Sequence, residues 1–115
     1  MVSSRYVPDA GDLIWLDFDP QAGHEQAGHR PAIVLSPAAY NEKSGLAVVC
    51  PITSQVKGYP FEVLLPLGLA ITGVILSDHL KSLDWKQRRA RKAGRVSKSV
   101  LHEIRNKLAP LLGFS

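Results

Sequence analysis

Short apolar runs separated by turn residues fill the first two thirds of the chain. Runs of this length, bounded by glycine, proline, aspartate and serine, are typical of strands rather than of long helices. They predict five strands, at residues 13–18, 32–35, 46–53, 61–65 and 73–76. The sequence contains no internal repeat or low-complexity tract, and the pattern therefore predicts a β-rich barrel.

The last part of the chain has a helical period instead. Between residues 100 and 111, apolar residues recur every three or four positions, with charged and polar residues between them. This spacing predicts an amphipathic C-terminal helix, with Pro110 and Gly113 at its fraying end. A shorter helix is expected over residues 78–85, where two leucines could both face the core.

The length of 115 residues is sufficient for one domain with a modest core, and we expect a single domain over residues 1–115. One cysteine, Cys50, rules out a disulfide framework or a cysteine metal site within the chain and fits a reducing compartment. The first residues lack the apolar core of a signal peptide, and the longest apolar stretch, 64–76, is shorter than the roughly 20 residues that span a bilayer. These features predict a cytoplasmic protein that does not insert into a membrane.

The formal net charge of +4 is unevenly distributed, with acids crowded in the first part of the chain and bases in the later part. Such a basic run would attract phosphates or an acidic peptide, although a solvated basic loop explains it equally well. Its members are Lys86, Arg88, Arg89, Arg91, Lys92, Arg95 and Lys98.

Residues 23–31, between two predicted strands, form the first segment with chemical content. A loop held by a sheet at both ends is a common place for binding groups. The spacing of its histidines is not that of a helical zinc pair, so no metal site is expected, whereas a structural ion pair between the acid and the guanidinium is an open alternative. The loop carries an acid, a guanidinium, two imidazoles, an amide and a glycine that permits close approach: Glu25, Arg30, His24, His29, Gln26 and Gly28.

Residues 51–61 form the second such segment, where an apolar strand passes into hydroxyls, an amide, a lysine and aromatic residues. Hydroxyls can hold a phosphate oxygen, a lysine can neutralise a nucleic-acid backbone, and Tyr59 or Phe61 could stack on an unpaired base. Considered singly, Thr53 is explained as well by its preference for strands.

Ordered sequence blocks extend along nearly the whole chain. They are RYVPD at 5–9, GDLIW at 11–15, GHEQAGHRPA at 23–32, PITSQ at 51–55, KGYPFEV at 57–63 and DHLKSLDW at 78–85. In this order the blocks resemble the MazF/PemK/Kid family of toxin endoribonucleases from type II toxin–antitoxin systems. Blocks of this length in a shared order are far more specific than any single motif.

The resemblance implies a mainly β fold, an SH3-like or CcdB-like partly open barrel with a C-terminal amphipathic helix, assembled as a homodimer. It implies a sequence-specific endoribonuclease, an mRNA interferase, that cleaves single-stranded RNA and inhibits translation. In such enzymes the ribose 2′-oxygen attacks the adjacent phosphorus without a metal or other cofactor, leaving a 2′,3′-cyclic phosphate and a 5′-hydroxyl. The implied inhibitor is a MazE-like acidic antitoxin, whose tail the basic run could attract.

Carried over position by position, the resemblance makes Arg30 and Thr53 catalytic and Glu25 a base or positioning acid. A guanidinium offers fixed donors to two phosphate oxygens, and a threonine hydroxyl can hold or protonate a neighbouring oxygen. The positions implied to bind RNA are Phe18, His24, Gln26, Gly28, His29, Ser54, Lys57, Asp78 and Lys81.

This sequence departs from the Kid pattern at one point of the mechanism. Asp78 matches the aspartate proposed as general base in Kid, but Leu76 stands where Kid has an arginine two residues earlier. Asp78 and His24 are therefore both candidates for proton transfer, since imidazole suits that work near neutral pH.

Two other functions are compatible with the same fold. CcdB-like relatives poison DNA gyrase without nuclease activity, and a passive RNA-binding module would keep a basic groove and aromatic residues. The occurrence of Arg30 and Thr53 together, each inside a MazF-like block, favours the nuclease.

Overall fold

The computed structural model of the protein describes residues 5–18 and 28–114, with side chains at each of these positions except Phe18. Within these ranges the chain forms seven strands and two helices. In chain order they are β1 (Asp12–Phe18), β2 (Gly28–Val34), α1 (Ala38–Ser44), β3 (Leu46–Thr53), β4 (Glu62–Leu64), β5 (Val74–Leu76), β6 (Lys81–Asp84), β7 (Arg91–Arg95) and α2 (Lys98–Leu111).

The strands form one antiparallel sheet in the order β4-β5-β3-β2-β1-β7. Strand β3 is its most connected member, because it pairs with β2, with β6 along its first half and with β5 at its last two residues. Among the described strands, β4 and β7 end the order without pairing to each other, so the sheet is not closed. A mainly β, partly open barrel with helices, as predicted from the sequence, is confirmed.

Two buried clusters of apolar side chains hold the sheet together. Successive residues of a strand point to opposite faces, and accordingly Leu13 and Ile14, adjacent in β1, belong to different clusters. The first cluster joins Leu13 to Ile104 of α2, and the second joins Ile14 to Trp85. The sheet is therefore covered by apolar packing on both faces.

Helix α2 confirms the predicted C-terminal helix. Its buried residues are at the expected spacing, and the Ser97 hydroxyl accepts a hydrogen bond from the N–H of Val100, which caps the first turn. Pro110 lies in the last turn, where the helix ends at Leu111. Neither helix in the described residues is both long and apolar enough to cross a membrane.

Three elements differ from the sequence-based expectation. Residues 81–84 form β6, so the helix predicted over 78–85 is wrong: the edge of β3 pairs with this segment, and Leu83 lies opposite Ala47. Strand β7 lies inside the basic run and consists mostly of exposed or half-buried residues, so no apolar alternation reveals it. The seven-residue helix α1 is too short to show a helical period, and it ends at Gly45, which has a φ of +75°.

The pairing of β1 with β7 brings the acids of the first part of the chain onto the bases of the later part. Arg91 lies 2.9 Å from Asp17, and Arg95 and Lys92 lie 2.7 and 3.7 Å from Asp12. The uneven charge distribution is thus partly neutralised within the fold. The attraction that these bases exert on RNA or on an acidic tail is accordingly weaker than their number suggests.

Asp12 is the buried centre of this network, with only 2% of its surface exposed. Its carboxylate also accepts hydrogen bonds from the Tyr6 hydroxyl at 2.6 Å and the Asp9 N–H at 3.0 Å. Burial is the largest cause that raises the pKa of Tyr6, and the hydrogen bond to Asp12 is the second. The N–H of Ala38, which donates to the Asp9 carboxylate, is the main cause that lowers the pKa of Asp9.

A second buried polar residue, Asn41 of α1, joins three parts of the chain. Its side-chain amide donates to the carbonyls of Pro8 at 2.7 Å and Ser36 at 2.9 Å and accepts from the Ser36 hydroxyl at 2.6 Å. The Asn41 carbonyl accepts from the indole N–H of Trp85 at 2.9 Å. All of these polar atoms are thereby satisfied in the interior, as burial requires.

Candidate active site

Thr53 is the last residue of β3, at the end of the strand that pairs with β5. Its hydroxyl oxygen accepts a hydrogen bond from the N–H of Gln55 at 3.2 Å, which turns the chain away from the sheet. The side chain is half-buried, so the hydroxyl is held in place and can still be reached from solvent.

A cavity of about 320 Å³ opens beside Thr53. Its wall combines hydrogen-bonding groups, both signs of charge and an aromatic ring, which are the groups expected around a sugar-phosphate with an unpaired base. The lining residues are Thr53, Gln55, Lys57, Tyr59, Glu62, Leu76, Asp78 and His79.

One wall of the cavity is a loop that Glu62 fixes. The Glu62 carboxylate accepts the N–H of Gly58 at 2.9 Å and the N–H of Lys57 at 3.2 Å. The ammonium of Lys57 lies 6.0 Å from the centre of the Tyr59 ring, within the range of a cation–π contact. Glu62 thereby keeps a cation and an aromatic side chain on the same wall as the Thr53 hydroxyl.

The opposite wall follows β5. Asp78 and His79 lie in the turn after this strand, with 3.8 Å between His79 Nε2 and Asp78 Oδ1. The preceding residue, Ser77, is buried and hydrogen-bonded to the carbonyl of Phe61, which ties this turn to the start of β4. Together these residues place a carboxylate and an imidazole in the cavity that contains Thr53.

Cys50 lies behind this wall and is fully buried. Burial, with a smaller contribution from the charge of Asp78, raises the pKa of its thiol to about 12. A thiol in that state is not a nucleophile at neutral pH. Cys50 is therefore a core residue.

Gly28, His29 and Arg30 are exposed at the beginning of β2, opposite the end of β1. The ring of His29 contacts the edge of Trp15, with 5.3 Å between ring centres and an angle of 78°. Strand β2 pairs with β3 through Ala32 and Pro51. This pairing ends at Ala32, and Arg30, two residues earlier, does not line the cavity beside Thr53.

The structure brings part of the predicted site together. Thr53, Lys57 and Asp78 share one cavity, and Ser54 is exposed next to them. Lys81 lies on β6 opposite Val49, and it does not line this cavity. Four of the predicted contacts lie outside what the structure describes: His24, Glu25, Gln26 and the side chain of Phe18.

Two lining residues were not predicted from the sequence. Glu62 and His79 both lie within the family-like blocks, at 57–63 and 78–85, which is the signal that could have drawn attention to them. Their contribution depends on β4 and β5 folding back onto the end of β3, which the local sequence does not specify. Within the described ranges, no group of three or more histidine, cysteine or acidic residues is placed to hold a metal ion.

Comparison with known proteins identifies the family of this chain. Residues 9–112 match the family model described as PemK-like, MazF-like toxin of type II toxin–antitoxin system. The chain is 56% identical to the endoribonuclease toxin MazF of Escherichia coli K12, over 96% of this chain and 98% of the relative. It is 38% identical to the Escherichia coli endoribonuclease PemK, over 97% of this chain and 87% of the relative.

Solved structures of similar fold are also MazF toxins. The crystal structure of MazE–MazF (Form-II) from Deinococcus radiodurans matches with a TM-score of 0.91 and 61% identity, over 96% of this chain and 99% of that one. The Mycobacterium tuberculosis toxin MazF-mt6 has a TM-score of 0.72 at 16% identity, over 90% of this chain and 98% of that one, and so shares the fold. The resemblance inferred from the sequence blocks is confirmed, and the chain belongs to the family of PemK-like, MazF-like toxins of type II toxin–antitoxin systems.

Proposed function

We propose that this protein is the endoribonuclease toxin of a toxin–antitoxin system, and that it cleaves single-stranded RNA without a metal and thereby inhibits translation. The observation that carries the proposal is the cavity at the end of β3, which is lined by Thr53 together with Lys57, Asp78 and His79. The enzyme class itself, endoribonuclease, is confirmed by the names and high identity of the relatives from Escherichia coli.

The chemistry follows from the groups that surround Thr53. The ribose 2′-oxygen forms a bond to phosphorus as the bond to the 5′-oxygen breaks, so a base must accept one proton and an acid must return one. Arg30, exposed near the start of β2, would offer a fixed pair of donors to the charge that builds on the phosphoryl oxygens. The Thr53 hydroxyl holds a neighbouring oxygen, and Asp78 or the predicted residues Glu25 and His24 provide proton transfer.

Lys57 and Tyr59 would position the substrate. An ammonium neutralises a phosphate, and a tyrosine ring stacks on an unpaired base without regard to its identity. Gln55, which lines the cavity, and the adjacent exposed Ser54 can contact the sugar-phosphate backbone. This arrangement favours a single strand, whose bases are free to leave the helical stack.

We further propose a homodimer, folded as one domain over residues 1–115 and located in the cytoplasm, that is silenced by an acidic MazE-like antitoxin. The similar toxin from Deinococcus radiodurans was crystallised as MazE–MazF, which supports such a partner. The formal charge of +4 is favourable for an acidic tail, although the β1–β7 ion pairs neutralise part of the basic run internally.

The test is incubation of the purified protein with a long single-stranded RNA in excess EDTA, followed by mapping of the fragment ends. We expect cleavage at a recurrent short motif, with 5′-hydroxyl ends, and losses of about 10²-fold or more for Arg30→Ala and Thr53→Ala. Arg105→Ala, an exposed arginine of α2, is the matched control and should cleave normally.

Other outcomes would contradict the proposal in distinguishable ways. Intact RNA that still binds the folded protein would favour a passive RNA-binding module. Inhibition of gyrase supercoiling by a protein that leaves RNA intact would favour a CcdB-like poison. Cleavage abolished by EDTA and restored by a divalent ion would refute the metal-independent mechanism alone.

A further inference from the structure

We infer that Gly73 is a positioning residue for the reaction, because the absence of a side chain there sets the place of Thr53. This inference rests on the proposed function. Gly73 immediately precedes β5, where the backbone crosses the end of β3. The residue itself has no group that could touch the substrate, and its effect would be exerted entirely through the backbone of Thr53.

The contact between the two backbones is unusually close. A Cβ atom on Gly73 would lie 2.2 Å from the carbonyl oxygen of Thr53, 2.9 Å from its carbonyl carbon and 3.2 Å from the Cα of Ser54. All three neighbours are backbone atoms, so no side-chain rotation can relieve the overlap. The φ of Gly73, +123°, is also one that residues with a side chain rarely adopt.

The backbone at Gly73 and the part of β3 that precedes Thr53 are both held in place. The carbonyl of Gly73 accepts a hydrogen bond from the N–H of Leu65 at 2.9 Å, and the next residue, Val74, pairs with Thr53. On the other side, Ile52 is buried in the core cluster. The part that can yield is the end of β3 with the turn after it, namely Thr53 and the exposed Ser54.

The required shift is large on the scale of catalysis. Bringing a carbon–oxygen distance of 2.2 Å to an ordinary contact of 3.4 Å demands a displacement of about 1 Å. A displacement of about 1 Å in a positioning group can cost about 100-fold in rate. Binding of RNA over the rest of the surface would be little affected, because Lys57 and Tyr59 are fixed by Glu62 rather than by Gly73.

The experiment compares Gly73→Ala with Gly45→Ala in the full chain. Gly45 also has a positive φ, of +75°, but a Cβ there would meet nothing within 4 Å, and it lies at the other end of β3 from Thr53. Gly45→Ala therefore places an alanine at a positive φ without the collision. For each variant we would measure the single-turnover cleavage rate at saturating RNA, the affinity for an RNA made uncleavable by 2′-deoxy substitution, and the melting temperature.

We expect Gly73→Ala to lose about 100-fold in rate while its affinity for RNA is nearly unchanged, and Gly45→Ala to cleave like the unmodified protein. Equal rates for the two variants would overturn the inference. A Gly73→Ala protein that is unfolded while Gly45→Ala is folded would overturn it too, since the effect would then not be confined to Thr53. If the unmodified chain does not cleave RNA, the proposed function fails first.

Two further readouts separate positioning from general damage. In a Thr53→Ala background, Gly73→Ala should cost almost nothing more, because the group it positions is already gone; additive losses would contradict the inference. The chain has two threonines, Thr53 and Thr72, so methyl-labelled threonine gives two resonances. The Thr53 resonance, assigned with Thr53→Ala, should move in Gly73→Ala and stay in place in Gly45→Ala.

Discussion

Replacing Asp12 by asparagine tests the ion-pair network that joins β1 to β7. The side chain keeps its shape but loses its charge, and one of its two acceptor oxygens becomes a donor. Three donors converge on the carboxylate within 3.0 Å, from Tyr6, Asp9 and Arg95. At least one of them would lose its partner at a site that is only 2% exposed.

The expected loss of unfolding free energy depends on how deeply Asp12 and Arg95 are each buried. Removing one partner of a fully buried ion pair costs about 3 to 5 kcal/mol. The side chain of Arg95 is 50% exposed and can regain water, so we expect a loss below that range, about 2 to 3 kcal/mol. For a chain of this length, that corresponds to a fall of about 8 to 12 °C in melting temperature.

The assay is urea unfolding of Asp12→Asn beside Asp17→Asn. Asp17 lies on the same strand and also pairs with a base of β7, but both side chains of that pair are partly exposed, Asp17 to 33% against 2% for Asp12. We therefore expect a large decrease in urea midpoint for Asp12→Asn and a small one for Asp17→Asn. Both are measured at one protein concentration, since dimerisation would couple to unfolding. Equal losses in the two variants would refute the reasoning.

Three further results are expected. Because burial raises the pKa of the Cys50 thiol to about 12, an aromatic disulfide reagent at about pH 8 should react about 10³-fold more slowly with folded than with urea-unfolded protein; equal rates would contradict this burial. Glu62→Gln should weaken RNA affinity, measured with uncleavable RNA, because the anchor of the loop at 57–58 is loosened; unchanged affinity would remove the loop from the binding surface. Folding lowers the pKa of Asp9 and of Asp17. Their contribution to stability is therefore present above their ordinary pKa of about 3.9, and it is lost as the pH falls through their pKa in the folded protein. The urea midpoint should accordingly fall in acid, and less steeply in Asp9→Asn.

The sequence predicts the elements whose pattern is local. Strand β3 is a continuous apolar run that ends at Thr53, and the residues of α2 recur at helical spacing, so both are found close to their observed bounds. Strand β6 was misjudged because Leu83 alternates with polar neighbours for only four residues, and the edge of β3, far away in sequence, decides its conformation. Strand β7 owes its place to pairing with β1 rather than to any apolar pattern.

In the candidate site, too, the sequence predicts what is local and misses what depends on distant contacts. The segment from Thr53 to Tyr59 was found from its composition and its resemblance to a family, since those residues are contiguous. Glu62, His79 and Gly73 were not found, because each matters only through a contact that the fold creates. The collision that a side chain at Gly73 would cause is with a residue twenty positions earlier, and no reading of the residues around Gly73 reveals it.

Strand β3 joins the β4–β5 hairpin to the other strands of the sheet. The β4–β5 hairpin is paired to the remainder of the sheet through two residues of β3, Ile52 and Thr53, whereas β1, β2, β6 and β7 are held by longer pairings. Val63, Leu65 and Ile71 lie between Thr53 and Gly73 and are buried in the same core cluster as α2. The exposed residues 54–60 are therefore the part of this segment that can change in length and composition with the least effect on the rest of the sheet. Under the proposed function, changes in these exposed residues would alter which RNA is bound while Thr53 keeps its place at the end of β3.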